Sequence, residues 1–298
     1  MKFLLTGATS FVGKHVAKAF EDNGDEVFLL LRKKTNANFP EFSSIQKTYL
    51  ISEKPSTEEL ILAFQSISPE CVIHIAGKNY DENDFSGRNQ TIEANFLFGW
   101  NLLNAALQSK TPYFLNTGSY WSFGDENNHR QKTLYAIMKH QFQRTLEFYA
   151  SRGLLKSMTL VLYDVYGPSD PRKKVLWHLI QAIKDGSVLE MTQGEQKIDF
   201  VHVEDVARGF LIGSQLLPSA QIPSVSQYAL RTGALYDLRT LEKKISLIMK
   251  KTSKVIWGAK PYPENQIFHP DQSIPVLPGW IPKNLSEGLR DLFEESLI

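Results

Sequence analysis

The sequence predicts an α/β protein: a doubly wound parallel sheet with a smaller C-terminal lobe. Three observations carry this prediction. Short apolar runs of strand length alternate with helical patterns through the first half. The first of these runs ends in Thr6-Gly7-Ala8-Thr9-Ser10-Phe11-Val12-Gly13, a small-residue turn that opens directly into a helix. Most of the prolines lie beyond Pro168, many of them within 217–282, which marks a second lobe rich in loops.

The elements follow in order. Lys2-Phe3-Leu4-Leu5 is a first strand, and 14–20 a helix after the glycine turn. Residues 26–31 form a buried strand bounded by Gly24-Asp25 and Arg32-Lys33-Lys34. A helix is predicted over 57–66, a strand over 71–75, a long helix over 96–107 and a strand over 113–115. The next helix carries Tyr135 and runs to about residue 149, followed by a strand over 158–163. In the second half, helices are predicted over 173–184, 203–214 and 238–250. Residues 188–191 and 198–201, around Gln193-Gly194, read as a hairpin-like excursion. The division expected is 1–164 plus 198–225 for a nucleotide-binding domain, and 165–197 plus 226–298 for a substrate-binding lobe.

Composition removes several function classes. Thirty-three Lys and Arg against 32 Asp and Glu leave a net charge of +1, which makes no electrostatic case for nucleic acid or an anionic membrane. The single cysteine, Cys71, has no internal partner and fits a reducing compartment. The N-terminal apolar run is too short for a signal-peptide core, and no stretch approaches the roughly 18 apolar residues of a membrane span. A cytoplasmic protein is expected. The seven histidines show no metal-ligand spacing, so no metal site is expected; His178 and His202 stay unassigned.

Two motifs point to chemistry. A turn of small residues between strand and helix lets backbone N–H groups and the positive helix end meet a pyrophosphate, which makes Gly7, Thr9, Ser10, Phe11, Val12 and Gly13 candidate cofactor residues. Ser10 stands where a glycine is usual. Tyr135 and Lys139 are four residues apart, so on a helix their Cβ atoms share a face about 5–6 Å apart. Alone, that pair is a weak signal and reads first as a half-buried tyrosine beside a solvated lysine. Asn116-Thr117-Gly118-Ser119 changes the weighing, because it ends a strand where such sheets present their ligand site. Ketone reduction needs a hydride donor, a proton donor and a second hydrogen bond to the developing alkoxide. Tyr135 supplies the proton, Ser119 the hydrogen bond, and Lys139 is expected to pull the phenol below its ordinary pKa of about 10. Arg32, with Lys33 beside it, follows the second strand, where a cation attracts the 2′-phosphate of NADP(H); the alternative is a solvated strand end.

The whole chain resembles an extended short-chain dehydrogenase/reductase, the group that acts on nucleotide sugars. Besides the motifs above, the resemblance rests on His74-Ile75-Ala76-Gly77, Asn95 with Asn101-Leu102-Leu103-Asn104-Ala105-Ala106, and Asp164-Val165-Tyr166-Gly167-Pro168. It extends through Asp199-Phe200-Val201-His202-Val203-Glu204-Asp205-Val206 to Gly279-Trp280-Ile281-Pro282 and Leu285-Ser286-Glu287-Gly288-Leu289. Asn116 through Trp121, Asp170-Pro171-Arg172-Lys173 and Gly194-Glu195-Gln196 look like the 4-ketoreductases making CDP-linked 3,6-dideoxyhexoses, the abequose and paratose synthase type. The resemblance implies a Rossmann-type fold and an NADPH-dependent reduction of a CDP-linked 4-keto sugar, in the dideoxysugar biosynthesis that serves lipopolysaccharide O-antigen. It implies that Lys139 also holds the nicotinamide ribose, that Ala76, Gly77 and Thr117 line the cofactor, and that Ser119, Tyr120, Asp164, Arg172 and Lys173 meet the sugar nucleotide. A solvated basic patch is the other reading of Arg172 and Lys173. A homodimer through helices 92–107 and 132–149 is implied as well. Tyr120 and Trp121 stand where dehydratases of the group carry Asp-Glu, so water elimination lacks its acid/base pair. Ile198 stands where many relatives carry an arginine. Two alternatives remain: a 4-epimerase with tightly bound NAD, and a non-catalytic NADP-binding regulatory protein.

Overall fold

A computed structural model describes residues 1–34, 47–126, 128 and 130–295. The predicted alternation becomes β1 (Lys2–Thr6), α1 (Phe11–Asp22), β2 (Glu26–Arg32), β3 (Thr48–Ile51), α2 (Thr57–Ile67), β4 (Cys71–His74) and α3 (Phe85–Ile92). A π-helical turn, Glu93–Leu97, joins α3 to α4 (Phe98–Gln108). Then come β5 (Tyr113–Ser119), α5 (Leu134–Ala150), β6 (Lys156–Leu162), β7 (Asp164–Tyr166), α6 (Val175–Asp185), β8 (Val188–Met191), β9 (Lys197–His202) and α7 (Val203–Leu216). The chain closes with β10 (Val225–Leu230), β11 (Leu235–Asp237), α8 (Leu238–Met249), β12 (Lys254–Trp257) and α9 (Leu285–Glu295).

Seven strands form one sheet in the order β10-β6-β5-β4-β1-β2-β3, every pair parallel. The order reverses between β1 and β4, and in open α/β sheets the ligand crevice lies at such a reversal, beyond the carboxyl ends of the strands. Alternation along β1 sends Phe3 and Leu5 into one apolar core and Leu4 into a second on the opposite face. Helices α1 and α7 cover the first face; α2, α4 and α5 cover the second.

A third core joins Tyr166, Leu176, Leu179, Ile183, Met191 and Phe200 to Leu238, Leu241, Ile245, Leu285 and Leu289. This is the smaller lobe. β10 completes the large sheet, and Leu277 and Trp280 pack into its first core, so that layer extends past residue 225. Two acids tie the lobes to their loops. Asp199 accepts from the backbone of Thr232 and Gly233; Asp205 accepts from Lys283 N–H, while its own carbonyl takes the Trp280 indole N–H at 2.7 Å.

Two sequence expectations are corrected here. Residues 188–191 and 198–201 do not pair as a hairpin: β8 runs parallel to β12, and β9 lies between β7 (parallel) and β11 (antiparallel). Between them Gly194, at φ +76°, turns the chain against the Trp257 ring of β12, where a Cβ would lie 2.5 Å from the ring. The long helix over 96–107 begins with the π turn, and α4 proper starts at Phe98. Among the described residues no helix is long and apolar enough to cross a membrane.

Candidate active site

The glycine turn is built by close approach. Gly7 has φ +78°, and a Cβ there would lie 2.5 Å from the Ala76 nitrogen; a Cβ on Gly13 would lie 2.0 Å from the Gly7 carbonyl oxygen. Only glycine lets β1, the start of α1 and the end of β4 converge. Ser10 needs no such freedom. It is the N-cap of α1 with extended backbone, and its Oγ accepts the Gly13 N–H at 3.0 Å. Serine at the expected glycine position therefore strengthens the turn. Phe11 and Val12 are buried, Thr9 is half-buried, and Ser10 faces solvent.

Behind this turn, the loop leaving β4 passes through Ala76 and Gly77. A Cβ on Gly77 would lie 2.8 Å from Asn95 Oδ1 and 3.0 Å from Lys139 Nζ, so glycine admits both side chains. Asn95 sits in the π turn and clamps the loop: its Oδ1 accepts Lys78 N–H at 3.1 Å, and its Nδ2 donates to the Lys78 carbonyl at 2.7 Å. π turns of this kind recur at functional sites.

Helix α5 presents Tyr135 and Lys139 beside the end of β5. Ser119, at the end of β5, acts on the Tyr135 phenol and favours its ionised form. Lys139 is buried, and its Nζ donates to the Thr117 carbonyl at 3.2 Å. Removal from water pushes the Lys139 pKa down to about 8. The Tyr135 phenol is raised, by burial first, against the lowering influence of the Ser119 hydroxyl and the positive charge of Arg172. Lys139 is not among the groups acting on it, so the expected depression of Tyr135 by Lys139 is corrected.

His74 lies under this pair with its Nδ1 2.8 Å from Thr6 Oγ1, enclosed by Phe98, Phe114 and Phe142. Burial, then the Lys139 charge, holds its pKa well below the usual range, so it is a neutral packing residue.

The residues expected to meet substrate are engaged with one another. The Tyr120 phenol donates to Asp164 Oδ2 at 2.7 Å, and its ring stacks on Tyr163 at 5.1 Å. Asp164 Oδ1 accepts from Lys174 Nζ at 3.0 Å. Arg172 is held by Asp170 through two hydrogen bonds of 2.7 Å, donates to the Val165 carbonyl at 2.8 Å, and lies 4.7 Å over the Phe11 ring. It therefore links the smaller lobe to the glycine turn. Lys173 lies 5.2 Å over the Trp177 ring and, with Asp164, Lys174 and Phe200, lines a cleft of about 400 Å³. Arg32 is more than half exposed, with Glu53 3.8 Å away. Lys174 was missed in the sequence because its partner, Asp164, lies across a turn ten residues away.

Among the described residues one group has metal-ligand types in reach of each other: His202, Glu204 and Asp291. Lys283 Nζ already bonds both acids, at 2.9 and 2.8 Å, and supplies their positive charge.

The residues fit a dinucleotide. The Gly7–Gly13 cradle leaves no room for side chains, Thr117 Oγ1 is buried without a partner, and Lys139 Nζ has a backbone carbonyl in place of a counter-ion. A glycine turn at the switch point with Ser119, Tyr135 and Lys139 beside it defines a dinucleotide-dependent oxidoreductase-type enzyme. Residues 3–219 match the NAD dependent epimerase/dehydratase family, and the chain belongs to it. It is 26% identical over 298 residues to the CDP-abequose synthase of Salmonella typhimurium, covering 98% of this chain and 97% of that protein. It is 24% identical over 290 residues to the CDP-abequose synthase of Salmonella muenchen, with 94% and 92% covered. The fold matches the UDP-glucose 4-epimerase of Thermotoga maritima with UDP-glucose at TM-score 0.83 and 22% identity, with both chains fully covered. The Thermus thermophilus UDP-glucose 4-epimerase complex with NAD matches at TM-score 0.81 and 22% identity, with 99% and 98% covered.

Proposed function

We propose that this enzyme is an NADPH-dependent 4-ketoreductase of a CDP-linked 4-keto-3,6-dideoxyhexose. The observation that carries the reading is the convergence of Ser119, at the end of β5, with Tyr135 and the buried Lys139 on one face of α5. The bound cofactor supplies the hydride. Ser119 and Tyr135 both aim hydroxyls at the place where an alkoxide develops, and their hydrogen bonds strengthen as the charge appears there. Tyr135 gives its proton to that oxygen. Lys139 would hold the ribose of the nicotinamide nucleotide.

The Tyr120–Asp164 pair supports reduction over dehydration. The acids that eliminate water in related enzymes are replaced by Tyr120 and Trp121, and burial together with Asp164 keeps the Tyr120 phenol protonated. Arg32 at the end of β2 supports NADP(H) over NAD(H) through attraction to the 2′-phosphate. CDP as the nucleotide rests on the likeness to the two abequose synthases. Lys173 and Trp177 in the cleft offer a charge and a ring to the nucleotide part, and Tyr120 and Asp164 face the sugar. Exposed Leu97, Ile137 and Phe148 on the 92–107 and 132–149 helices support a homodimer, in the cytoplasm.

The test is incubation with NADPH and CDP-, dTDP- and GDP-linked 4-keto sugars, following cofactor absorbance. Oxidation with the CDP sugar, faster than with the others, is expected. A second reading, a 4-epimerase that retains NAD, is favoured by the Arg32–Glu53 pair, because Glu53 offers an acid near the end of β2. NAD copurifying with the enzyme, and no net NADPH oxidation, would replace the first reading by the second.

A further inference from the structure

An α-helix leaves its first backbone N–H groups without partners inside the helix. At the start of α5 the N–H groups of Leu134, Tyr135 and Ala136 all find side-chain partners, and the regular ladder begins at Ile137. Ala136 N–H goes to the Thr133 hydroxyl and Ile137 N–H to the Thr133 carbonyl, both at 3.1 Å. Leu134 and Tyr135 donate to the two oxygens of Glu82, at 3.0 and 3.2 Å.

Glu82 comes from the loop that leaves β4 through Ala76 and Gly77. It is half-buried while its neighbours Asp81, Asn83 and Asp84 are exposed. Asn95 fixes the start of that loop at Lys78. The carboxylate thus ties the cofactor side of the crevice to the first turn of the helix that carries the proton donor. Its two bonds are charge-assisted and flank the Leu134 Cα, the second being to the Tyr135 N–H itself, in the positive field of the helix end.

We propose that Glu82 is a positioning residue for Tyr135: its carboxylate seats the first turn of α5 and fixes where the phenol meets Ser119. This rests on the reading of Tyr135 as proton donor. Glu82 also lines a polar cleft of about 830 Å³ with Tyr80, Gln131 and Thr133, so contact with substrate is the competing role.

The test uses the full chain labelled with ζ-¹³C tyrosine, the Tyr135 signal being assigned by its loss in Tyr135→Phe. In Glu82→Ala the Tyr135 signal should move or broaden while the other tyrosine signals hold. Turnover should fall by about tenfold or more, as expected for a catalytic group displaced by a fraction of an ångström, with the KM for the sugar nucleotide within about twofold. Glu82→Gln keeps one acceptor oxygen and should restore most of the turnover and the wild-type signal. An unmoved Tyr135 signal in Glu82→Ala would overturn the proposal. So would a raised KM with unchanged turnover, which would make Glu82 a substrate contact. A displaced signal in an enzyme that reduces none of the sugars would uphold the positioning role and remove only the proposed substrate.

Discussion

Two cations face the crevice, and the protein treats them in opposite ways. Lys139, on α5, is buried against one backbone carbonyl, and burial is what moves its pKa. Arg172, on the loop after β7, is a third exposed and gripped by Asp170 through both arms of its guanidinium. The buried charge is costly in the free protein, and its pKa falls to about 8. The exposed charge is already neutralised and must exchange one acid for another before it binds an anion. A site that relies on an unpaired buried cation is poised for its ligand; a paired surface cation tunes what is already bound. Arg172 also acts through space on Tyr135, the role the sequence assigned to Lys139.

The largest effect is expected at Tyr135, the phenol that Arg172 acts on and that shares a helix face with Lys139. Tyr135→Phe should lower turnover by about 10²–10⁴-fold, the range for loss of a general acid, with NADPH affinity nearly unchanged because the glycine turn remains. A residual rate above about a tenth of wild type would give the proton to another residue.

Lys139→Met sharpens the comparison, since it removes the unpaired charge. Turnover and cofactor affinity should both fall. Stability should respond to pH with a definite sign. The Lys139 pKa is about 8 in the folded chain against an ordinary 10.5, so between those values the unfolded chain binds more protons and folding strengthens as pH rises. In the cofactor-free enzyme this amounts to about 2 kcal/mol between pH 8 and 10, read by urea unfolding, and it should vanish in Lys139→Met. Equal pH slopes in the two proteins would mean that Lys139 is not strained by burial.

Arg32→Asp probes a cation of the second kind. NADPH binding should weaken by about tenfold or more while NADH binding holds or improves, because an attraction to the 2′-phosphate becomes a repulsion. Equal losses for both cofactors would leave Arg32 a solvated strand end paired with Glu53.

The smallest effect belongs to Arg172→Ala. The KM for the sugar nucleotide should rise by about threefold to tenfold, since Asp170 already takes part of the guanidinium's binding capacity. The alkaline limb of the turnover profile should move to higher pH, because the charge that lowers the Tyr135 pKa is gone. A shift confined to NADPH affinity would assign Arg172 to the cofactor turn through Phe11 instead.

Much of the nucleotide-binding half was legible because its signals are local. Apolar runs, a small-residue turn between strand and helix, and a four-residue spacing lie in contiguous sequence, and they determined β1, β2, β4, β5, β6, the Gly7–Gly13 turn and the shared face of Tyr135 and Lys139. The strands missed are short or half-exposed. Thr48–Ile51 is an edge strand with mixed burial, and Asp164–Tyr166 and Leu235–Asp237 have three residues each. Strands that brief carry too few alternations to show a period, and they exist because a neighbour offers hydrogen bonds.

Pairing was decided only in three dimensions. Nothing in residues 188–201 says that β8 joins β12 while β9 joins β7 and β11, and a hairpin was the local reading. Partners for charge followed the same rule: Glu82 reaches Tyr135 N–H across 53 residues, and Asn95 reaches Lys78 across 17. The sequence alone determined which residues share the glycine turn and the Tyr135–Lys139 helix face, because helix and strand periods are properties of the chain's own backbone. Which carboxylate faces which cation, and so which pKa moves and in which direction, was settled by the tertiary fold, since electrostatic energy depends on separation in space and on the water left between the charges.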